Sequence, residues 1–361
     1  MMRTKKNKPQ IIVLTPVRNE AWVLRAFLAA TSLWADYIII ADQMSTDGSR
    51  EIYREFQTSH PNPFSSTEKA DVHQCELIVI DNVLKEMHMA ATRKLLFEAT
   101  QNVIKKSGLL NENFILFAMD ADEFLTGNFM DTKIWNQIME SNPDDVFCFR
   151  WKNVCRDQKC FKYYGPYMSW VEHASDDLWG GMYPDNVIHE WRLPWSPKTK
   201  KEGVFRSDEI SFIHLGGLPE KKIFHKNIFY QVSTIAKVDY VNIVRHWRQY
   251  HTISNQHEAV YPLTELDFKI YKENGTDIFR LLNLEDEALH LKKETTGYLE
   301  KFGLEKFGVL DIWTPRVCEE YGVKDPRNLG QKLVHWYCRN TNKYSRSIII
   351  RAIDKILKVV L

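Results

Sequence analysis

Four short apolar runs restrict this chain more than anything else in it. Residues 10–15 (Gln-Ile-Ile-Val-Leu-Thr), 37–41 (Tyr-Ile-Ile-Ile-Ala), 77–80 (Leu-Ile-Val-Ile) and 114–119 (Phe-Ile-Leu-Phe-Ala-Met) are continuously hydrophobic rather than alternating. A strand buried on both faces requires that pattern, and such strands belong to parallel sheets covered by helices. Between the runs lie segments with apolar residues at helical spacing. The first holds Trp22, Val23, Ala26, Phe27, Ala30 and Leu33, the second Ile52, Tyr53 and Phe56, the third Ala91, Leu95, Leu96, Ala99 and Val103. Strands alternating with helices give right-handed βαβ units around a parallel sheet. The expected fold class is therefore α/β.

Three of the four runs end in polar clusters: Pro16-Val17-Arg18-Asn19-Glu20, the turn from Asp42 to Ser49, and Asp120-Ala121-Asp122-Glu123. In open α/β sheets ligands bind outside the carboxyl ends of the strands. The chain has no Gly-x-Gly-x-x-Gly and no Gly-Lys-Ser/Thr, so neither a dinucleotide fold nor a P-loop is indicated. Side chains two apart on a strand share a face, which places Asp120 and Asp122 together. Two such carboxylates repel unless a cation lies between them, and Mg²⁺ or Mn²⁺ is the hard ion that takes oxygen ligands and bridges phosphates. An acidic strand end facing water gives the same letters.

The pattern changes after residue 129. A helix is expected over 133–139, a strand over 146–151, then a loop-rich aromatic stretch with Gly180-Gly181 at its centre. Strands at 187–195 and 210–215 fit a mixed or antiparallel arrangement, and beyond Pro219 the chain reads as helical, with helices over 221–231 and 240–250. A hydrophobic share of 44% is ample for a core. The net charge of +1 argues against a surface built for nucleic acid. Six cysteines include no Cys-x-x-Cys; Cys155 and Cys160 lack a second pair to complete a zinc set, so reduced thiols are expected. With no secretory leader pattern and no run of membrane-spanning length, a cytoplasmic location is expected.

Taken together these motifs resemble a family 2 glycosyltransferase of the GT-A fold. Thr15-Pro16-Val17-Arg18-Asn19-Glu20 resembles the family's first-strand motif. Asp42-Gln43-Met44-Ser45-Thr46-Asp47-Gly48-Ser49 is similar to its second-strand turn, with Gln43 departing from the usual residue. Ala91-Thr92-Arg93 resembles its basic helix segment, and Asp120-Ala121-Asp122 its D-x-D. The likeness is good over residues 10–125 and weaker from His189 to Tyr230, where it is similar to a subgroup acting on lipopolysaccharide or other cell-surface glycans. It implies a Rossmann-like GT-A domain over 8–235, with a mostly parallel central sheet, and a helical extension over 236–361. It further implies a nucleotide-sugar donor (a UDP- or GDP-sugar), an acceptor that is a glycan or lipid-linked saccharide, and Mg²⁺ or Mn²⁺.

On that resemblance Pro16, Glu20 and Asp42 line the base and ribose pocket, and Asp120, Asp122 and His214 hold the metal. Arg93 either contacts the diphosphate or covers the helix surface. Glu20 also suits a helix N-terminus by charge alone, and Asp47 suits a helix cap. Inverting transfer needs a general base; Asp177 is preferred, with Asp176 and Glu190 as the other candidates, although Glu190 also suits an ion pair with Arg192. Trp170, Trp179, Trp191 and Trp195 are candidates for stacking on sugar rings, against ordinary core packing. Two other readings stand beside this one. A sugar nucleotidyltransferase usually carries a glycine-rich basic loop after the first strand, and this chain has none there. A non-catalytic carbohydrate-binding protein leaves the aspartates unexplained. Finally, residues 345–361 read as a basic amphipathic helix suited to peripheral contact with the inner membrane face, or to packing on protein.

Overall fold

The computed structural model describes residues 8–58, 74–84, 88–176, 192–193, 198, 201–252, 259–345 and 347–360. Strand β1 (Gln10–Val17) lies at the centre of a mixed sheet. It pairs in parallel with β2 (Tyr37–Asp42) and with β4 (Phe114–Ala118), while β3 (Glu76–Asp81) adds in parallel outside β2. Val17 stands opposite Asp42 and Asp42 opposite Asp81, so β1, β2 and β3 finish level, whereas β4 ends at Ala118 opposite Leu14. Helices α1 (Ala21–Thr31), α2 (Ser49–Thr58) and α3 (Met89–Ser107) make the crossovers. Ile12 to Leu14, Ile38 to Ala41 and Phe114 to Ala118 are all almost wholly buried, as continuous apolar strands require. The α/β class and the parallel centre are as expected.

The other half of the sheet is largely antiparallel. β4 is followed by β5 (Glu123–Leu125), helix α4 (Lys133–Met139), β6 (Val146–Val154), β7 (Cys160–His173), β8 (Val204–Arg206) and β9 (Phe212–His214). Among the described residues the strand order is β3-β2-β1-β4-β7-β6-β9-β5, with β8 on β6 and β10 (Val260–Pro262) on β7. Of the aromatic stretch expected as loop between the strands at 146–151 and 187–195, the part up to His173 is instead the end of β6 and the whole of β7, paired as a hairpin. Gly165-Pro166 falls within β7, at an irregularity of the ladder. Pairing runs Trp151 to Tyr164 and resumes at Phe149 to Met168, so the residues between bulge out of the ladder. Of the strand expected at 187–195, only Arg192 and Leu193 fall within the described residues.

The chain divides into two compact units, 1–217 with 260–284, and 218–259 with 285–361. The boundary expected at 235 thus falls inside α5 (Glu220–Ala236), a helix of the second unit. Residues 260–284 return to the first unit because β10 pairs with β7, and because Tyr271, in α7 (Lys269–Glu273), donates its hydroxyl to the Leu125 carbonyl at 2.7 Å. The second unit is helical: α5, α6 (Ile243–Thr252), α8 (Leu289–Phe302), α9 (Pro315–Tyr321), α10 (Leu329–Thr341) and α11 (Ile348–Val360). Ile228, Val232, Leu299, Phe307, Trp313 and Val317 form one core cluster there. Two buried acids tie the rest. Asp311 accepts from Arg327, Arg339 and Trp247, and Asp354 of α11 accepts from Arg248 at 2.9 and 3.1 Å and from Tyr337 at 2.9 Å. Among the described residues no helix is long and apolar enough to cross a membrane.

Phe117 of β4 is fully buried, with its ring 5.0 Å from Trp34 and 6.1 Å from Trp135. Phe117→Ala is expected to lower the unfolding free energy by about 3–5 kcal/mol. Val83→Ala, at a position 74% exposed, should stay within about 0.5 kcal/mol of wild type. Urea unfolding followed by tryptophan fluorescence checks both.

Candidate functional site

The loops beyond β1 and β2 are built as one piece. Two non-glycine residues in them adopt left-handed backbone, Asn19 at φ 55° and Met44 at φ 52°. Such residues are uncommon and persist where surrounding bonds hold them. Asn19 is held from both sides: its N–H donates to Ser45 Oγ at 2.9 Å, and its Oδ1 accepts from Thr46 N at 2.7 Å. Asp47 was expected as a helix cap, and it serves two helix starts. Oδ2 accepts from Ala21 N at 2.8 Å, an otherwise orphan donor of α1, and Oδ1 accepts from the N–H and hydroxyl of Ser49 where α2 begins. Glu20 accepts from the Trp22 indole at 2.5 Å.

Asp42 closes β2 and is fully buried. Its Oδ1 accepts from Ser45 N at 2.9 Å and Arg50 at 3.2 Å, and its Oδ2 from the Tyr53 hydroxyl at 3.0 Å. Burial, and then the Asp42 charge, push the Tyr53 phenol upward, so it remains a donor. Arg50 also reaches Asp81 at the end of β3, at 2.7 Å. Asp42 therefore spends both oxygens on the protein and organises this corner from inside. Pro16, half-buried, stands opposite Ala41 in the β1–β2 pairing.

The acidic cluster lies where the chain leaves β4. The turn from Asp120 to Glu123 closes on itself: Glu123 N donates to Asp120 O at 3.1 Å, and Asp120 N donates to Glu123 Oε2 at 2.9 Å. Glu123 is fully buried yet well satisfied. Arg192 meets it twice at 2.7 Å, and the Trp151 indole donates to Oε1 at 2.6 Å. The same guanidinium reaches Asp120 Oδ2 at 2.9 Å. Burial works against the Arg192 charge, but Asp120 and Glu123 outweigh it and hold the group protonated. Burial raises the Glu123 carboxyl against the pull of Arg192. Arg93 is buried, not spread over the surface of α3. It donates to the Arg192 carbonyl at 3.2 Å and lies 3.8 Å from Asp120 Oδ1.

Sheet register brings the last pieces to the same place. His214 of β9 pairs with Glu123 on one side and Asn153 on the other, and directly opposed residues share a face. His214 Nδ1 lies 2.5 Å from Asn153 Oδ1. An amide oxygen only accepts, so with the amide in this orientation Nδ1 carries a proton, and Nε2 is the nitrogen the neutral ring can offer to an ion. Nε2 points at Asp122 Oδ2, 3.5 Å away. The imidazole stacks on Trp151 at 4.7 Å and 15°. Gly216 packs close to the ring: a Cβ there would fall 2.4 Å from Cε1 and from Nε2.

Of the three expected metal ligands, Asp122 and His214 thus come together and suit a divalent ion. Asp120 does not join them as placed, because Arg192 holds it. Asn153, Trp151, Gly216 and the structural use of Glu123 escaped the sequence reading. A period-two view of β6 would have put Trp151 and Asn153 on one face, but nothing local says which face.

The base candidates separate. Asp176 is exposed and accepts from Asn111 at 2.5 Å, beside the start of β4, where Ala174 N also bonds the Phe114 carbonyl. The five residues of β4 put roughly 13 Å between that end and the acidic turn, so Asp176 is withdrawn as a base. Asp177, Glu190, Trp179, Trp191 and Trp195 lie outside the described residues, and Trp170 sits in β7. No protein-family model matches the chain, and no curated protein matches it at a significant level.

Removing one partner of a buried ion pair strands the other charge. Arg192→Met is expected to lower stability by about 3–5 kcal/mol. Adding Glu123→Leu to it should recover part of that loss. A double-mutant cycle in urea reads the coupling; independent, additive effects would contradict it.

Proposed function

We propose that this chain is a metal-dependent, inverting glycosyltransferase of the GT-A type, moving a sugar from a nucleotide-sugar donor to a glycan or lipid-linked acceptor. The single observation that carries the reading is the Asp122–His214 pair, oriented by Asn153 and standing at the carboxyl end of β4 beside Arg93 and Arg192. Asp122 and His214 would hold Mg²⁺ or Mn²⁺. When bound, the ion supplies charge stabilisation for the departing nucleoside diphosphate. Asn153 holds the imidazole in the tautomer that offers Nε2. Arg93 and Arg192 set two guanidinium groups against the three carboxylates of the turn, so the charge that would meet the donor's diphosphate would come from the bound ion. The loops joined through Asn19, Asp42 and Ser45 are assigned to the nucleoside. The acceptor proton is assigned to Asp177, with Glu190 second.

The β1 loop favours this reading over a nucleotidyltransferase. Its left-handed position is Asn19, held by side-chain bonds, and no glycine is there to let a triphosphate approach the backbone. Incubation with a panel of sugar nucleotides and Mn²⁺ tests the proposal. Slow release of nucleoside diphosphate supports it, whereas pyrophosphate-dependent exchange, or no turnover with any donor, counts against it. Asp122→Asn and His214→Gln should each lower turnover by about 10²–10³, Asp120→Asn by less, and chelation should abolish activity until Mn²⁺ is restored. Wild-type turnover in Asp122→Asn would remove the metal assignment.

The base assignment has its own readout. Asp177→Ala should reduce kcat by far more than it weakens donor binding, since a base acts mainly in the transition state. If Glu190→Ala alone stops turnover with donor affinity intact, the roles exchange.

We further assign the outer side of α11 to an anionic lipid surface. Asp354 turns one side of the helix toward Arg248 and Tyr337, and Ile349, Ile353 and Ile356 remain exposed on another. Arg351, Lys355 and Lys358 supply the charge, each worth about 1 kcal/mol near such a surface. Truncation would strand Arg248, so the test is the combined Ile349→Ser, Ile353→Ser and Ile356→Ser variant in liposome co-sedimentation. It should bind anionic vesicles clearly less than wild type; equal, salt-insensitive binding would exclude α11 as the contact.

A further inference from the structure

The hairpin joining β6 to β7 turns through Cys155-Arg156-Asp157-Gln158-Lys159-Cys160, starting two residues beyond Asn153. Cys155 N donates to the Cys160 carbonyl at 2.8 Å, so the two cysteines face each other across the ladder. Gln158, left-handed at φ 58°, returns the chain and bonds the Cys155 carbonyl at 2.9 Å. Asp157 Oδ1 is fixed by Lys159 N at 3.0 Å and lies 3.5 Å from Cys160 Sγ. One ligand atom from each of Cys155, Asp157 and Cys160 lies within 4.8 Å of the other two, and among the described residues this is the one such convergence of three.

These distances have a chemical meaning. Zinc takes thiolate sulfur at about 2.3 Å and carboxylate oxygen at about 2.0–2.2 Å in a tetrahedron, whose sulfur-to-oxygen edge is then about 3.5 Å. That edge is the Asp157–Cys160 separation. Two sulfurs select a soft or borderline ion, so this set discriminates against the Mg²⁺ or Mn²⁺ assigned to Asp122 and His214. Each half-buried sulfur is reachable from solvent, since the turn is at a strand-pair tip.

We propose that the tip of the β6–β7 hairpin is a zinc site, with Cys155 Sγ, Cys160 Sγ and an Asp157 oxygen as protein ligands and water completing the tetrahedron. Binding releases the two thiol protons to solvent and leaves a bis-thiolate, so uptake strengthens as pH rises. The bound ion pins the turn that closes the β6–β7 hairpin.

The test uses the full chain, reduced with a phosphine rather than a thiol, and Co²⁺ as a visible stand-in for zinc. One equivalent should produce a thiolate-to-cobalt charge-transfer band with intense tetrahedral visible absorption, and zinc should erase both. The Cys155→Ser, Cys160→Ser double variant should lose the band, and Asp157→Ala should weaken binding by at least about tenfold. Cys318→Ser and Asp122→Asn should keep the band, which separates this site from other thiols and from the proposed catalytic pair. No charge-transfer band in reduced wild type, or a band that survives the double variant, overturns the proposal. An unchanged affinity in Asp157→Ala reduces the ligand set to the two sulfurs and overturns the three-ligand site.

Discussion

The Arg192–Glu123 pair is the interaction on which the candidate site depends. A buried ion pair gains little net stability, because desolvation takes back most of the attraction. Its use is positional. Glu123 is completely enclosed, so it must be met by donors, and it collects them from three separated parts of the chain: Arg192, the Trp151 indole and the Asp120 amide. That demand fixes the turn after β4, sets the segment at Arg192 against it and holds Trp151 under His214. Asp120 is drawn in by the same guanidinium. Of the three acids in the turn, one is structural, one is neutralised and one, Asp122, is left to face the histidine.

A comparable division of labour runs through the neighbouring loops. Asp42 and Asp47 are the conspicuous polar residues after β2, yet both work on backbone and side-chain donors of the protein itself. Asp47 satisfies an orphan amide of α1, and Asp42 anchors Ser45, which in turn holds Asn19 in its left-handed conformation. Left-handed non-glycine backbone costs on the order of 1–3 kcal/mol per residue. The side-chain bonds of Asn19 and Ser45 offset it and keep two loops from different strands in one fixed arrangement.

The second unit follows the same rule with different residues. Asp311 and Asp354 are acids enclosed among helices, each surrounded by arginine and aromatic donors. Asp354 is the single acid in a basic, apolar segment. Its burial decides which side of α11 faces protein, and so leaves an isoleucine side outward. Composition alone describes that segment as amphipathic; the buried acid gives it an orientation.

Much of the parallel half was legible from the residues. Continuous apolar runs of strand length suit strands buried on both faces, and four of them separated by helical spacing leave few topologies. The positions of the polar clusters followed, because strand ends are where such runs stop. The antiparallel half was not legible in the same way. Gly165-Pro166 falls within β7, at an irregularity of the ladder it forms with β6. Nor does a sequence distinguish the roles of neighbouring acids. Asp120, Asp122 and Glu123 are three similar letters in four positions, and their fates depend on Arg192, Trp151, Asn153 and His214, which lie between 28 and 91 residues further along. Sequence by itself determined which residues must be buried and where charge would gather, since both follow from local hydrophobicity. Tertiary structure alone decided which carboxylate is spent on an arginine and which is left beside an imidazole, since that turns on register between strands that no local pattern encodes.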